Sequence, residues 1–244
     1  MHSQPGSSGP IRRIEFLAQS TLLRLRQAAG LTRLALTNPQ EFIRFVQFRN
    51  GPPRLGVLER LISQAKPRVL VEIGVWRGDT AARMIRAAAR HRADIRYWGF
   101  DLFEGMSDEI LKREISLAPL SQEEVSARLA GLEAEIHLIA GNSAHTLAVT
   151  DLPPVEFAFV DGGHSYETVA ADWRGLRPHL APGALVVFDD YTNELPVERE
   201  GFGVRRLVRE LSSSHDVELL KPIDTFPRVY GRLEIQLALL RMPA

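Results

Sequence analysis

From about residue 54 onward the chain alternates between two hydrophobic patterns. Short apolar runs occur at residues 68–73, 96–101, 136–140, 155–160 and 184–188. Runs of this length, rich in Val, Ile and Phe, predict strands buried on both faces. Between them, apolar positions recur at helical spacing over residues 57–64, 79–89, 121–129, 166–179 and 203–212. Residues 102–120 read as irregular or helical. Ser121 and Glu124 have the spacing of a capping box at a helix start. Residues 217–220 and 233–240 predict two more strands, an antiparallel pair at one edge. The alternation predicts an α/β fold, a doubly wound and mostly parallel sheet with helices on both faces.

Ahead of this region the pattern changes. Residues 1–10 are rich in Gly, Ser and Pro and predict a flexible tail. Residues 11–36 place Ile, Leu and Phe at helical spacing with arginines between them. Asn38-Pro39 suits the start of a second helix reaching about residue 49, and Asn50-Gly-Pro-Pro53 breaks it. The expected organisation is a tail at 1–10, a helical extension at 11–53 and one α/β domain at 54–244. The basic amphipathic helix fits packing on the domain, a homo-oligomer contact or a membrane surface.

Composition narrows the function classes. The formal net charge is zero, so no global field favours nucleic acid. There is no cysteine, which excludes disulfides, thiolate zinc sites and thiol nucleophiles. No run of about 18 apolar residues is present to span a membrane. The first residues lack the basic-then-apolar order of a signal peptide, and a cytoplasmic location is expected.

The polar residues that end the apolar runs carry the chemistry. Glu72-Ile-Gly74-Val-Trp-Arg-Gly78 follows the first run. Its glycines allow a tight turn and a close backbone approach to a ligand, although a plain strand-to-helix turn uses the same residues. It is neither a Gly-x-Gly-x-x-Gly dinucleotide fingerprint nor a P-loop, which favours a cofactor without phosphate. Asp101 ends the second run, where an acid commonly accepts ribose hydroxyls. Asn142 and Ser143 follow the third run and suit a base edge, a carboxylate or simple turn bonding. Asp161 ends the fourth run, with His164 three residues on, free for proton transfer, helix capping or solvent. Asp189 and Asp190 end the fifth. Asp161, Asp189 and Asp190 together offer hard oxygen ligands for Mg²⁺ or another divalent ion, unless Asp190 caps the next loop instead.

In this order the residues resemble a class I S-adenosylmethionine-dependent methyltransferase over about residues 55–240. More narrowly, they are similar to metal-assisted small-molecule O-methyltransferases of the macrolide-sugar and catechol types. The resemblance implies a seven-stranded Rossmann-like sheet whose last strand is antiparallel. It implies that Glu72, Gly74 and Gly78 surround the methionine part of the donor. Asp101 would hold the ribose, with Asn142 or Ser143 near the adenine. Asp161, Asp189 and Asp190 match the metal ligands. Catechol-type relatives carry a lysine base where this chain has His164, and macrolide-sugar relatives carry a second acid where it has Gly163. The expected activity is O-methylation of a small-molecule hydroxyl, a sugar or other natural-product diol, with His164 as base. A metal-dependent hydrolase or hydroxylase-like enzyme and a non-catalytic binding module on the same fold are the alternatives. A nucleic-acid substrate is not expected, because no basic stripe or base-flipping sequence is present.

Overall fold

The computed structural model describes residues 53–114, 116–193, 203–228 and 231–244. The expected tail and the N-terminal helices with their oligomer contact lie outside the described residues. Fifteen helices and strands follow one another from Leu55. They are α1 (Leu55–Ala65), β1 (Val69–Ile73), α2 (Asp79–Ala89), β2 (Arg96–Asp101), α3 (Asp108–Glu114) and α4 (Gln122–Leu129). Next come β3 (Glu135–Ala140), α5 (Ser143–Val149), β4 (Val155–Val160), α6 (Tyr166–Leu176) and β5 (Leu180–Thr192). The last are α7 (Val204–Leu211), β6 (Asp216–Leu219), β7 (Asp224–Arg228) and β8 (Gly231–Arg241).

The strands form one sheet in the order β3-β2-β1-β4-β5-β8-β6, with β7 paired to β8. β1 to β5 run parallel, and β8 lies antiparallel between β5 and β6. The expected edge pair is therefore present, and β7 is one strand more than expected. Its sequence, Asp-Thr-Phe-Pro-Arg, contains a proline and has no apolar run, so periodicity gives no signal for it. The short helix α5 is not predicted by the sequence, because Asn142 and Ser143 are turn formers as well as helix starters.

Alternation along the buried strands splits the core into two layers. Leu70, Tyr97, Phe157, Phe159 and Val187 face α1, α2 and α4 on one side. Val71, Phe100, Ala158, Val186 and Phe188 face α6 and α7 on the other. The capping box forms as its spacing predicts: the Ser121 hydroxyl accepts from the Glu124 N–H while the Glu124 carboxylate accepts from the Ser121 N–H. β1 has β2 on one side and β4 on the other, so the chain departs in opposite directions from their carboxyl ends. This opens a crevice there, where open α/β sheets bind ligands.

Candidate functional site

A cleft of about 830 Å³ lies at the carboxyl ends of β1, β2, β3 and β4. That volume lies in the range of small-molecule and cofactor sites, roughly 300–1,000 Å³. Asp101, Asn142 and Ser143 line one part of it, and Asp161, Gly162 and His164 another. Apolar side chains of Met106, Ile110 and Leu117 form a further wall. Phe103, close by in sequence, is buried in the core instead.

Gly74 lies in the cleft at φ +91°, in the left-handed region. A Cβ there would stand 2.1 Å from the Asp161 carbonyl oxygen. Only glycine lets the end of β1 pass so close to the end of β4. The Gly74 N–H donates to the Phe100 carbonyl, tying the turn to β2 as well. Gly78 precedes α2 at φ +78° and faces Val125 and Leu129 of α4, so its space is taken by packing. Glu72 lies fully buried beside the cleft rather than in it and accepts a hydrogen bond from the Tyr97 hydroxyl. Burial pushes its carboxyl up to about 8, against the Tyr97 hydrogen bond. Its Oε1 has no hydrogen-bond partner.

The Asp101 carboxylate accepts from the Val75 and Trp76 N–H groups at 2.8 and 2.7 Å and from the Phe103 N–H at 3.1 Å. These bonds fix the turn after β1 against the end of β2. A carboxylate has about four lone-pair sites, so one remains for a ligand hydroxyl. Asn142 is the N-cap of α5, its Oδ1 accepting from the Ala144 N–H. The Ser143 hydroxyl donates to Asp172 of α6 at 2.5 Å. Asp172 lines the same cleft and is held up at about 6 by burial, against the Ser143 hydrogen bond.

The strand-end acids take three different environments. Asp161 lines the cleft, and its carboxyl has no hydrogen-bond partner among the described residues. Burial, then the charges of Asp189 and Asp190, push it well above the usual carboxylate range, against Arg54. Asp189 is 2% exposed and accepts from Arg54 at both oxygens, 2.6 Å from Nε and 2.8 Å from Nη2. Burial pushes Asp189 up and this fork opposes it. Asp190 has φ +54°, a left-handed residue inside an irregular stretch of the β5–β8 ladder. That kink lets two consecutive side chains, which a regular strand would send to opposite faces, both serve the same end of the sheet. Asp190 Oδ2 lies 2.6 Å from His164 Nε2. Burial would raise Asp190, but the bond to His164 outweighs it and holds the carboxyl below its ordinary value.

His164 has acceptors at both ring nitrogens, the Glu114 carbonyl at Nδ1 and Asp190 at Nε2. With Asp190 ionised, both nitrogens carry protons and the ring is an imidazolium. Burial disfavours that cation, yet the Asp190 hydrogen bond and charge outweigh it and lift His164 to about 8. In that state the ring has no lone pair for a substrate proton. The expected divalent site meets a similar obstacle. Asp189 is committed to Arg54 and Asp190 to His164, and no three acidic or histidine side chains among the described residues converge as a ligand group. The donor set does not fit a metal ion.

Two participants gave no sequence signal. Arg54 follows a Pro-Pro break and looks like one arginine among many. Glu114 ends α3 and accepts from the Ser165 N–H, the Ser165 and Thr168 hydroxyls and Arg113. Its carboxylate stands 2.7 Å from where a Gly163 Cβ would be, so a glycine at 163 makes room for an acid arriving from another helix.

Residues 71–191 match a family model described as a methyltransferase domain. Over 150 residues the chain is 31% identical to 8-demethyl-8-(2,3-dimethoxy-alpha-L-rhamnosyl)-tetracenomycin-C 4'-O-methyltransferase of Streptomyces olivaceus, covering 55% of this chain and 57% of that protein. The chain spans little more than half the length of the curated relatives it matches. Among solved structures it is similar to the O-methyltransferase NovP, with a TM-score of 0.57, 23% identity and coverage of 78% and 80% of the two chains. It is also similar to the O-methyltransferase TomG of Streptomyces achromogenes, solved in complex with S-adenosylmethionine, with a TM-score of 0.53, 22% identity and coverage of 78% and 80%. These structural likenesses concern the fold.

Proposed function

We propose that the methyltransferase domain matched by residues 71–191 is of the class I, S-adenosylmethionine-dependent type, and that the protein methylates a hydroxyl of a small natural product, a sugar being the favoured acceptor. The observation that carries the reading is one cleft holding both Asp101 and Asp161. Its size and the spare lone pair of Asp101 suit a nucleoside-bearing donor, with Asp101 at the ribose, Gly74 at the turn, and Asn142 and Ser143 toward the base. Glu72 and Gly78 support this part from outside the cleft. When bound, S-adenosylmethionine supplies an electrophilic sulfonium methyl group.

The protein's own task is then to orient the acceptor hydroxyl and take its proton as the new bond forms. Asp161 is the residue for that step. It faces the cleft, and in its ionised form its surroundings make it a stronger proton acceptor than an ordinary carboxylate. His164, held by Asp190 and the Glu114 carbonyl, supplies a fixed positive charge and two anchored N–H groups beside it. Sugar preference is supported by the rhamnosyl group in the name of the Streptomyces olivaceus relative. Metal assistance is not part of this reading, because two of the three acids meant for it, Asp189 and Asp190, are already paired. The methyltransferase match disfavours the hydrolase and binding-module alternatives.

Calorimetric titration of S-adenosylmethionine into the full chain, with Mg²⁺ and with EDTA, tests the reading. Micromolar binding in both, lost in Asp101→Ala, is expected. Absence of binding in both removes the methyltransferase activity.

A further inference from the structure

The strand-end acids raise a question of charge that the methyl-transfer reading leaves open. Asp161, Asp189 and Asp190 lie close enough for each to bear on the others, and Asp189 is almost wholly out of water. Acids so placed require a counter-cation. Arg54, just before α1, is 8% exposed and meets the need with every face of its guanidinium. Nε and Nη2 grip both oxygens of Asp189, and Nη1 donates to Asp224 of β7 at 2.8 Å. Nη2 also stands 3.7 Å from Asp190 Oδ1. A bidentate fork is the strongest form of this pairing, and it uses the oxygens a metal would need.

We propose that Arg54 is the built-in counter-cation of this site, taking the electrostatic place of a divalent ion, so that the protein works without one. The proposal rests on the methyl-transfer reading only for what the site does; the competition between Arg54 and a metal stands apart from it. A divalent ion entering here would have to displace the fork from Asp189 and tolerate the guanidinium and the His164 cation beside it. Removing Arg54 would free Asp189 to turn, with Asp190 and Asp161, toward an ion that takes oxygen ligands, as Mn²⁺ and Mg²⁺ do. Arg54 is thus a positioning residue that excludes metal, and its position outside the matched family segment explains why motif spacing alone points to a metal site.

The test is Mn²⁺ binding to the full chain, followed by electron paramagnetic resonance of the free ion. Wild type and Arg54→Lys should leave Mn²⁺ free where Arg54→Gln binds one equivalent, at least about tenfold more tightly. Adding Asp189→Asn to Arg54→Gln should abolish that binding. Micromolar Mn²⁺ binding by wild type that Asp189→Asn removes overturns the proposal, and so does a folded Arg54→Gln that gains no Mn²⁺. Should Arg54→Gln not fold, wild-type melting decides: a midpoint unmoved by millimolar Mn²⁺ or EDTA supports the proposal, and an Mn²⁺-induced rise overturns it. Donor titration on the same samples separates the two ideas, since loss of donor binding with Mn²⁺ still excluded sinks the methyltransferase reading alone.

Discussion

Asp161 and His164 leave the same strand three residues apart, and their surroundings set opposite charge preferences. Burial and neighbouring acids raise the proton affinity of the Asp161 carboxylate, while Asp190 favours the cation at His164. Asp161→Asn keeps the shape but cannot accept a proton. Its kcat should fall by about 10²–10⁴-fold, with donor affinity unchanged by calorimetry. For His164, the folded value of about 8 lies above the ordinary 6.5. The protonated ring is therefore favoured by folding. The His164–Asp190 pair should stabilise the protein fully below about pH 6.5 and cease to do so as pH rises past about 8. The difference is of order 2 kcal/mol, counted once for the pair. Urea unfolding at pH 6 and pH 9 should show this loss in wild type and not in His164→Gln.

At the scale of elements, the site depends on how closely strand ends approach. Gly74 at the end of β1 and Asp161 at the end of β4 come within a distance that no Cβ permits. Gly74→Ala meets both a backbone clash and an unfavourable positive φ. It should destabilise by about 3 kcal/mol or more, and it should weaken donor binding, because the turn that Asp101 holds must move. Thermal melting with donor titration on one sample checks both effects. Elsewhere the elements follow local rules. The α4 capping box and the bounds of α2, β2 and β4 match what periodicity and spacing predict. The misses, α5 and β7, are short elements with weak periodicity, formed because neighbours supply their partners.

For the whole molecule, β8 joins the parallel half of the sheet to its edge. It pairs with β5, β6 and β7, and its Leu237 and Leu239 enter one core layer while Ala238 and Leu240 enter the other. Each buried leucine contributes about 1.5–3 kcal/mol, against a net stability of roughly 5–15 kcal/mol for a typical domain. A chain ending at residue 230 should therefore lose cooperative unfolding. Circular dichroism melting and size-exclusion chromatography would show it as a broad or absent transition with self-association. Retention of a sharp transition would mean that the parallel strands stand without β8. Among the described residues no helix is long and apolar enough to cross a membrane.

The sequence by itself determined the layered α/β architecture, because burial on both faces imposes continuous apolar runs and helix packing imposes a 3.6-residue period. It also determined that Asp101 and Asp161 mark strand ends, since each follows an apolar run directly, whereas β5 runs on past Asp189 to Thr192. What those acids do was decided by the tertiary structure. Arg54 lies 135 positions from Asp189, and Glu114 supplies its carbonyl to His164 from 50 positions away. Residue spacing along a chain carries no record of such partners. A carboxylate's role depends on which cation reaches it first, and here an arginine and a histidine occupy the acids whose spacing alone suggests a metal.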